Sequence, residues 1–246
     1  MTRQESFFSM DIHTICMHAV WASVDVIRDE IEDIQLLLAG DDDSVEALRL
    51  ENADGRISLD LPVRDRVPNL IGVQWMHITL RLPQDWKGAL DLHTTSGNLN
   101  VRDVDGTDLC LETVSGNIRA AALQSMTLEL GTVSGLIFST RLVSNEIKVH
   151  TVSGSIQMLG VTCPSVHVNT ITANCVFTFD APFEKVDGNA VSGSISLTAP
   201  VATVNAVMKT VAGRLLTKNV SIQEEGPSIR LTTVSGSLEL ISDLNA

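Results

Sequence analysis

The sequence is dominated by a repeat centred on the tetrapeptide Thr-Val-Ser-Gly. Eight units align on the glycine position, with steps of 19, 19, 19, 19, 20, 20 and 23 residues between them. The aligned residues are Gly97, Gly116, Gly135, Gly154, Ala173, Gly193, Gly213 and Gly236. A unit this short cannot bury an apolar face by itself, so the repeat predicts coils that stack and share one core.

Alternation within each unit predicts which side chains face that core. The residues seven and five positions before the glycine are apolar in nearly every unit, such as Leu109 and Leu111, and the residue between them is mostly polar. The second residue after the glycine, such as Ile118, is Leu, Ile or Cys. A period of two is typical of a half-buried strand. Each coil therefore has two inward-facing strands, one on each side of the tetrapeptide.

The tetrapeptide itself is predicted to form a corner of the coil. Glycine adopts a positive φ or a tight bend without steric cost, and Thr and Ser hydroxyls can satisfy backbone groups that are freed at a turn. A second corner is expected in the polar or proline-containing segments 102–107, 161–165 and 224–228.

These patterns predict an all-β protein with a single domain over residues 1–246, a right-handed β-solenoid with coils of about 19 residues. Residues 90–246 form the regular repeats, and residues 1–89, which lack the Ser-Gly corner, form irregular first coils that cap the solenoid. Residues 24–38 also fit helical spacing, so a helix is the alternative there. Pro62, Pro68 and Pro83 should confine extended segments to edges or ends. We expect short strands in the cap over residues 12–17, 24–27, 34–38, 47–50, 56–61 and 77–82.

The segment LRLPQDWKGALDLHTTSGNLNV (residues 80–101) and the TVSG(S/N)(I/L) units after it resemble the bacterial putative-adhesin β-strand-repeat family, a domain of unknown function. The segments SVDVIRDEIEDIQLLL and LENADGRISLDLPV nearer the amino terminus are also similar to that family. The resemblance implies a β-solenoid of the single-stranded helix type. It further implies tethering to the outside of a membrane and a role in adhesion.

Charge and cysteine usage limit the partners and the compartment. With 17 Lys and Arg against 30 Asp and Glu, the net charge of −13 disfavours nucleic acid and insertion into an anionic membrane. The start of the sequence lacks a secretory pattern, and the four cysteines show no disulfide framework, so we expect buried free thiols in the cytoplasm. An extracytoplasmic location is the alternative if the chain is a piece of an anchored protein. Cys163 and Cys175 are the pair to check for a disulfide.

Residues with catalytic or metal-binding chemistry show no recognisable constellation. The serine that recurs at the corner (Ser96, Ser115, Ser134, Ser153, Ser192 and Ser235) is expected to be structural, because it repeats on nearly every coil. His93 and His150 are three coils apart, roughly 14 Å, which is too far for direct sharing of one metal ion. His150 and His167 lie on adjacent coils, diagonally offset, and their convergence on one metal ion is the alternative to surface imidazoles in a polar ladder.

The acidic residues also show no pattern that predicts a metal or catalytic site. Asp41, Asp42 and Asp43 read as a solvated acidic turn without the spacing of a calcium loop. Glu129 and Lys148 are expected to form a cross-strand ion pair. The sequence therefore predicts no catalytic, cofactor or metal site.

The expected function is a non-enzymatic binding or scaffolding module for a protein or glycan partner. A polysaccharide-active β-helix enzyme is the alternative, although the outward column shows no carboxylate cluster. A further class is ice recognition, because Thr-Val-Ser recurs at the corners. The glycine that follows implies a bend there and not a flat face.

Overall fold

The structure, a computed structural model, describes residues 1–61 and 75–244. Strands make up almost all of the regular structure in those residues, with a 3-10 turn at Ser9–Asp11 and a short helix, α1, at Asp42–Ala47. The strands are β1 Thr2–Phe7, β2 Thr14–Ala19, β3 Ser23–Asp29, β4 Ile34–Gly40, β5 Arg49–Ala53, β6 Arg56–Leu61, β7 Met76–Pro83, β8 Ala89–Thr94, β9 Leu99–Arg102, β10 Asp108–Thr113, β11 Ile118–Thr132, β12 Leu136–Thr151, β13 Ser155–Thr162, β14 Ser165–Thr170, β15 Cys175–Phe179, β16 Lys185–Ser192, β17 Ile195–Ala199, β18 Thr203–Lys218, β19 Ser221–Ile222 and β20 Ser228–Ser242.

Parallel pairing in register between coils produces the predicted columns. Leu109 pairs with Leu90 on one side and Leu128 on the other, and Ile118 pairs in the same way with Leu99 and Ile137. These side chains are buried and belong to one hydrophobic cluster that extends through the described chain. The all-β, single-domain, solenoid-like architecture is therefore confirmed.

Of the two alternatives for the glycine of the tetrapeptide corner, a positive φ or a tight bend, the structure shows a bend without a positive φ in most units. Gly116, Gly135 and Gly154 do not have a positive φ, whereas Gly193 does. Close approach explains the glycines, because a Cβ built on Gly135 would overlap the carbonyl oxygen of Gly116 in the preceding coil. Positive φ occurs instead at the second corner, at a constant spacing of 19 residues: Asp103 (55°), Ala122 (53°), Arg141 (55°) and Gly160 (73°).

The corner threonine explains how two coils come this close. The backbone N–H of Gly135 donates to Oγ1 of Thr132 at 2.9 Å, and that hydroxyl donates to the carbonyl of Gly116 at 3.5 Å. One buried hydroxyl thus satisfies groups on two successive coils, as expected from the motif. The corner serine makes a similar contact between coils on the exposed side, where Ser115 Oγ donates to the carbonyl of Thr95 at 3.1 Å.

Ala173, the one unit without glycine, uses a different hydrogen bond. Its N–H donates to the carbonyl of Ser192 in the following coil, at 3.3 Å. The buried hydroxyl of Thr170, three residues earlier, is left without a partner among the described residues. The corner therefore accepts a Cβ only where the threonine contact is given up.

The order of the coils departs from the order of the chain at both ends. At the carboxyl end, β20 pairs with β16 and β17 on one side and with β18 on the other, so the last repeat lies inside its predecessor. At the amino end, β2 lies between β6 and β8, and β3 lies between β7 and β9. Simple sequential stacking is therefore wrong for the terminal coils.

The amino-terminal part differs in detail from its prediction. Residues 24–38 form the strands β3 and β4, so the helical alternative is wrong. Antiparallel pairs β1–β4, β4–β7 and β5–β6 close this end of the solenoid. Pro83 ends β7 as expected, while Pro62 and Pro68 lie outside the described residues.

The acidic segment at residues 41–43 forms the N-terminus of helix α1. Asp41 is the N-cap of α1 and accepts a hydrogen bond from the N–H of Ser44 at 3.0 Å. Burial alone would raise the pKa of Asp41, but the hydrogen bonds from Ser44 and Trp75 outweigh it and lower the pKa. The predicted strand over residues 47–50 is correspondingly split between the end of α1 and the start of β5.

One buried hydroxyl makes a simple test of core packing. Ser139 is fully buried, and its hydroxyl has no partner among the described residues, whereas the Ser144 hydroxyl donates to the carbonyls of Met126 at 3.2 Å and Glu146 at 2.9 Å. We expect Ser139→Ala to stabilise the protein by about 1 kcal/mol and Ser144→Ala to destabilise it by about the same amount. Urea unfolding midpoints of the two variants measure this, and a loss for Ser139→Ala would contradict the described packing.

Candidate functional site

A groove of about 550 Å³ runs across the coils beside the tetrapeptide corners. Three columns line it, at the fourth, third and second positions before the glycine. The third position is the buried threonine, and the fourth and second positions point outward. The fourth-position residues along the groove are His93, Glu112, Gly131, His150, Asn169 and Asn189.

The second position forms an exposed apolar ladder, which we name the valine stripe. Its members are β-branched in seven successive units and 40–85% exposed. They are Val114, Val133, Val152, Ile171, Val191, Val211 and Val234. The first four line the groove. Because the threonines beside them are buried, the outward Thr ladder needed for ice recognition is not formed.

Imidazoles and carboxylates make a continuous network at one end of the groove. Glu112 is its centre: His93 Nδ1 lies 3.0 Å from Oε2, and His150 Nε2 lies 3.4 Å from Oε1. His93 Nε2 lies 2.6 Å from Asp91 Oδ1, and His150 Nδ1 lies 3.7 Å from Glu129 Oε1. Each imidazole is thus held between two carboxylates, which fixes the orientation of both rings.

Gly131 explains how histidines three coils apart reach one carboxylate. A Cβ on Gly131 would overlap the His150 ring, so the missing side chain lets that ring extend over the intervening coil towards Glu112. The spacing of three coils excluded direct sharing of one metal ion by His93 and His150, and the contact of both rings with Glu112, which lies between them in the column, was not predicted. A glycine between Glu112 and His150 in the same column was the available signal.

Coil order adds a third histidine to this column. His18 in β2 pairs with His93 in β8, and their rings meet edge to face with centroids 5.3 Å apart. The same neighbouring strand brings Cys16 beside Asp91. No repeat spacing predicts these contacts, because they arise from the insertion of β2 between β6 and β8.

Among residues 1–61 and 75–244, two sets of side chains have the geometry to hold a cation. One consists of Asp91, His93 and Cys110, and the other of Glu112, Glu129 and His150; in each set the candidate ligand atoms lie within 4.8 Å of one another. Burial, followed by the charges of Glu112, Asp91 and Glu129, raises the pKa of the Cys110 thiol. Burial is also the main cause that raises the pKa of Cys16.

The remaining candidate residues are placed elsewhere. His167 lies 3.4 Å from Glu146 and 3.6 Å from Asp187, and so has carboxylate partners different from those of His150. The predicted Glu129–Lys148 ion pair is wrong: the two residues are register partners, but Lys148 contacts Glu146 at 3.3 Å, and Glu129 faces His150.

The four cysteines are free in the structure. Cys163 and Cys175 are both buried, and burial raises their thiol pKa values to about 11 and about 12 respectively. Within the described ranges, none of the helices has the length and apolarity needed to cross a membrane.

Comparisons with known proteins agree with this architecture. The sequence profile of the family described as Toastrack DUF4097 matches residues 20–228. No curated protein matches the sequence. A putative adhesin from Bacteroides fragilis is 14% identical with a TM-score of 0.61, over 98% of this chain and 97% of that chain. A putative lipid binding protein from Parabacteroides distasonis is 13% identical with a TM-score of 0.55, over 97% and 96%. At such identities the similarity establishes the fold alone.

Proposed function

The chain belongs to the Toastrack DUF4097 family, and we propose that it is a non-enzymatic binding or scaffolding module that holds an extended partner along the corner groove. The observation that carries this proposal is the valine stripe. Val114, Val133 and Val152 stand 40–45% exposed in successive coils, although a solvent-facing position on a strand can be polar at no cost. A contiguous exposed apolar row next to polar groups is typical of an interaction surface.

The chemistry of the groove favours a protein segment over a glycan. The residues that line it include no Phe, Tyr or Trp, so a sugar ring would have no aromatic face to stack on. Apolar side chains that repeat once per coil suit the alternate side chains of an extended peptide. The carboxylate of Glu112 can accept hydrogen bonds from its backbone N–H groups, and the amide of Asn169 can donate to its carbonyl groups as well as accept. A glycan remains the second partner class to test.

Substitutions in the stripe test this proposal with a matched control. Val133→Thr combined with Val152→Thr replaces two methyl groups, worth about 0.8 kcal/mol each when buried, and should weaken binding about tenfold. Val143→Thr combined with Val176→Thr makes the same change at residues that are 46% and 39% exposed but lie outside the groove, and should have little effect.

The binding measurement starts from a displayed library of random peptides and a glycan array, both probed with the full chain. The affinity of the best peptide is then measured for both double variants by calorimetry. Equal affinities for the two double variants would place binding outside the groove, and preferential capture of glycans would reverse the order of partners. Release of reducing ends from polysaccharides by the purified chain would overturn the non-enzymatic proposal.

The proposal also covers the handedness of the solenoid and the cellular compartment of the protein. We infer a right-handed solenoid, because parallel crossover connections have that hand in ~98% of cases. We also propose a reducing, cytoplasmic setting, which the four free cysteines support. Mass spectrometry of protein taken from its native source under non-reducing conditions tests this, since four free thiols are expected and a disulfide would place the chain outside the cytoplasm.

A further inference from the structure

Three potential metal ligands of different chemistry converge at the amino-terminal side of the groove. Asp91 and Cys110 are neighbours in one outward column of β8 and β10, and His93 follows two residues after Asp91 on the same face of β8. The carboxylate oxygen, imidazole nitrogen and thiol sulfur lie within 4.8 Å of one another, and all three side chains are partly buried. This set combines residues from two coils with no sequence motif.

We propose that Asp91, His93 and Cys110 form a binding site for a divalent transition-metal ion of the Zn²⁺ type. Bonds of about 2.0–2.3 Å to oxygen, nitrogen and sulfur place tetrahedral ligand atoms about 3.5 Å apart, so small side-chain rotations close the site. Thiolate and imidazole ligands select such ions over Mg²⁺ or Ca²⁺. Three protein ligands leave one position for water or for a group of the partner in the groove.

The contacts of His93 support its assignment as a ligand through Nε2. A ligating histidine normally donates its other ring N–H to a carboxylate, which fixes the tautomer and the ring orientation. His93 Nδ1 lies 3.0 Å from Glu112 Oε2, in the place where that carboxylate is required. Glu112 is in turn held by His150 at 3.4 Å. Glu112 and His150 are therefore positioning residues for the site.

The position of the thiol also fits this role. Cys110 is partly buried and is the register partner of Asp91 in the neighbouring coil, so its sulfur lies beside a carboxylate. A bound cation displaces the thiol proton and offsets that carboxylate charge.

Cobalt provides the direct test, because a cysteine ligand gives a thiolate-to-Co²⁺ charge-transfer absorption in the near ultraviolet. We expect the full chain, fully reduced, to show this band on titration with Co²⁺ and to lose it when Zn²⁺ is added. Cys110→Ala should abolish the band. Cys16→Ala is the matched control, since Cys16 flanks Asp91 on the opposite side but is not part of the ligand set, and it should leave the band in place.

Positioning is tested separately by Zn²⁺ calorimetry. Glu112→Gln should weaken Zn²⁺ binding about tenfold, as loss of an outer carboxylate does, while Glu146→Gln, whose carboxylate contacts Lys148 and His167 instead, should change it less than twofold. Circular dichroism verifies that each variant is folded. A band that survives Cys110→Ala, or no Zn²⁺ binding at all, would overturn the proposal. Loss of binding on Glu129→Gln and His150→Ala but not on Cys110→Ala would also overturn it and would move the cation to the Glu112, Glu129 and His150 set.

Discussion

Gly135→Ala is expected to lower the free energy of unfolding by about 3 kcal/mol, and Gly135→Val by more. The reason is steric: the new Cβ would overlap the carbonyl oxygen of Gly116, which is backbone and cannot rotate away. Relief requires the two coils to separate, which would break the contact of the Thr132 hydroxyl with the carbonyl of Gly116. Because stability in repeat proteins is shared through interfaces, the damage should reach both neighbouring coils.

Urea midpoints measure the loss, and hydrogen exchange of β11 and β12 shows whether it spreads. Ala173→Gly is the matched control in the same column, because that corner already accommodates a Cβ; it should cost no more than about 1 kcal/mol of backbone entropy. An unchanged midpoint for Gly135→Ala would mean that the coils are not in contact at this corner.

Leu238→Ala should destabilise the protein by about 3 kcal/mol, whereas Leu215→Ala should cost about 1 kcal/mol. Both leucines occupy the same column, two residues after the corner glycine. Leu238 is 1% exposed because β20 lies between β17 and β18, and it pairs with Ile195 on one side and Leu215 on the other. Leu215 lies in the outer coil and is only partly buried.

This pair of variants tests the exchanged order of the last two coils. Sequential stacking would place Leu215 between Ile195 and Leu238 and leave Leu238 at the end, so it predicts the opposite ranking. Chemical denaturation of both variants decides between the two orders. A larger loss for Leu215→Ala would refute the insertion of β20.

The columns of the repeat predicted most of the strand architecture because their alternation is a local property. Leu109 and Leu111 face the core for the same reason as their equivalents in other coils, and the Thr132 hydroxyl is buried because it bonds backbone groups of two closely packed corners. The column that contains His93, Glu112 and His150 was visible by the same alignment. The contacts within this column were not predicted. Gly131 leaves a space between Glu112 and His150, and the sequence does not show that the His150 ring occupies it.

The order of the terminal coils was decided only by the tertiary structure. The sequence by itself determined the period, the inward columns and the position of the corners, since each follows from side-chain chemistry within one unit. The order of the terminal coils did not follow, because Ile195, Leu215 and Leu238 are equivalent in their column and any of the three can pack on any other. Only the packed ends select one order, and that order places His18 beside His93.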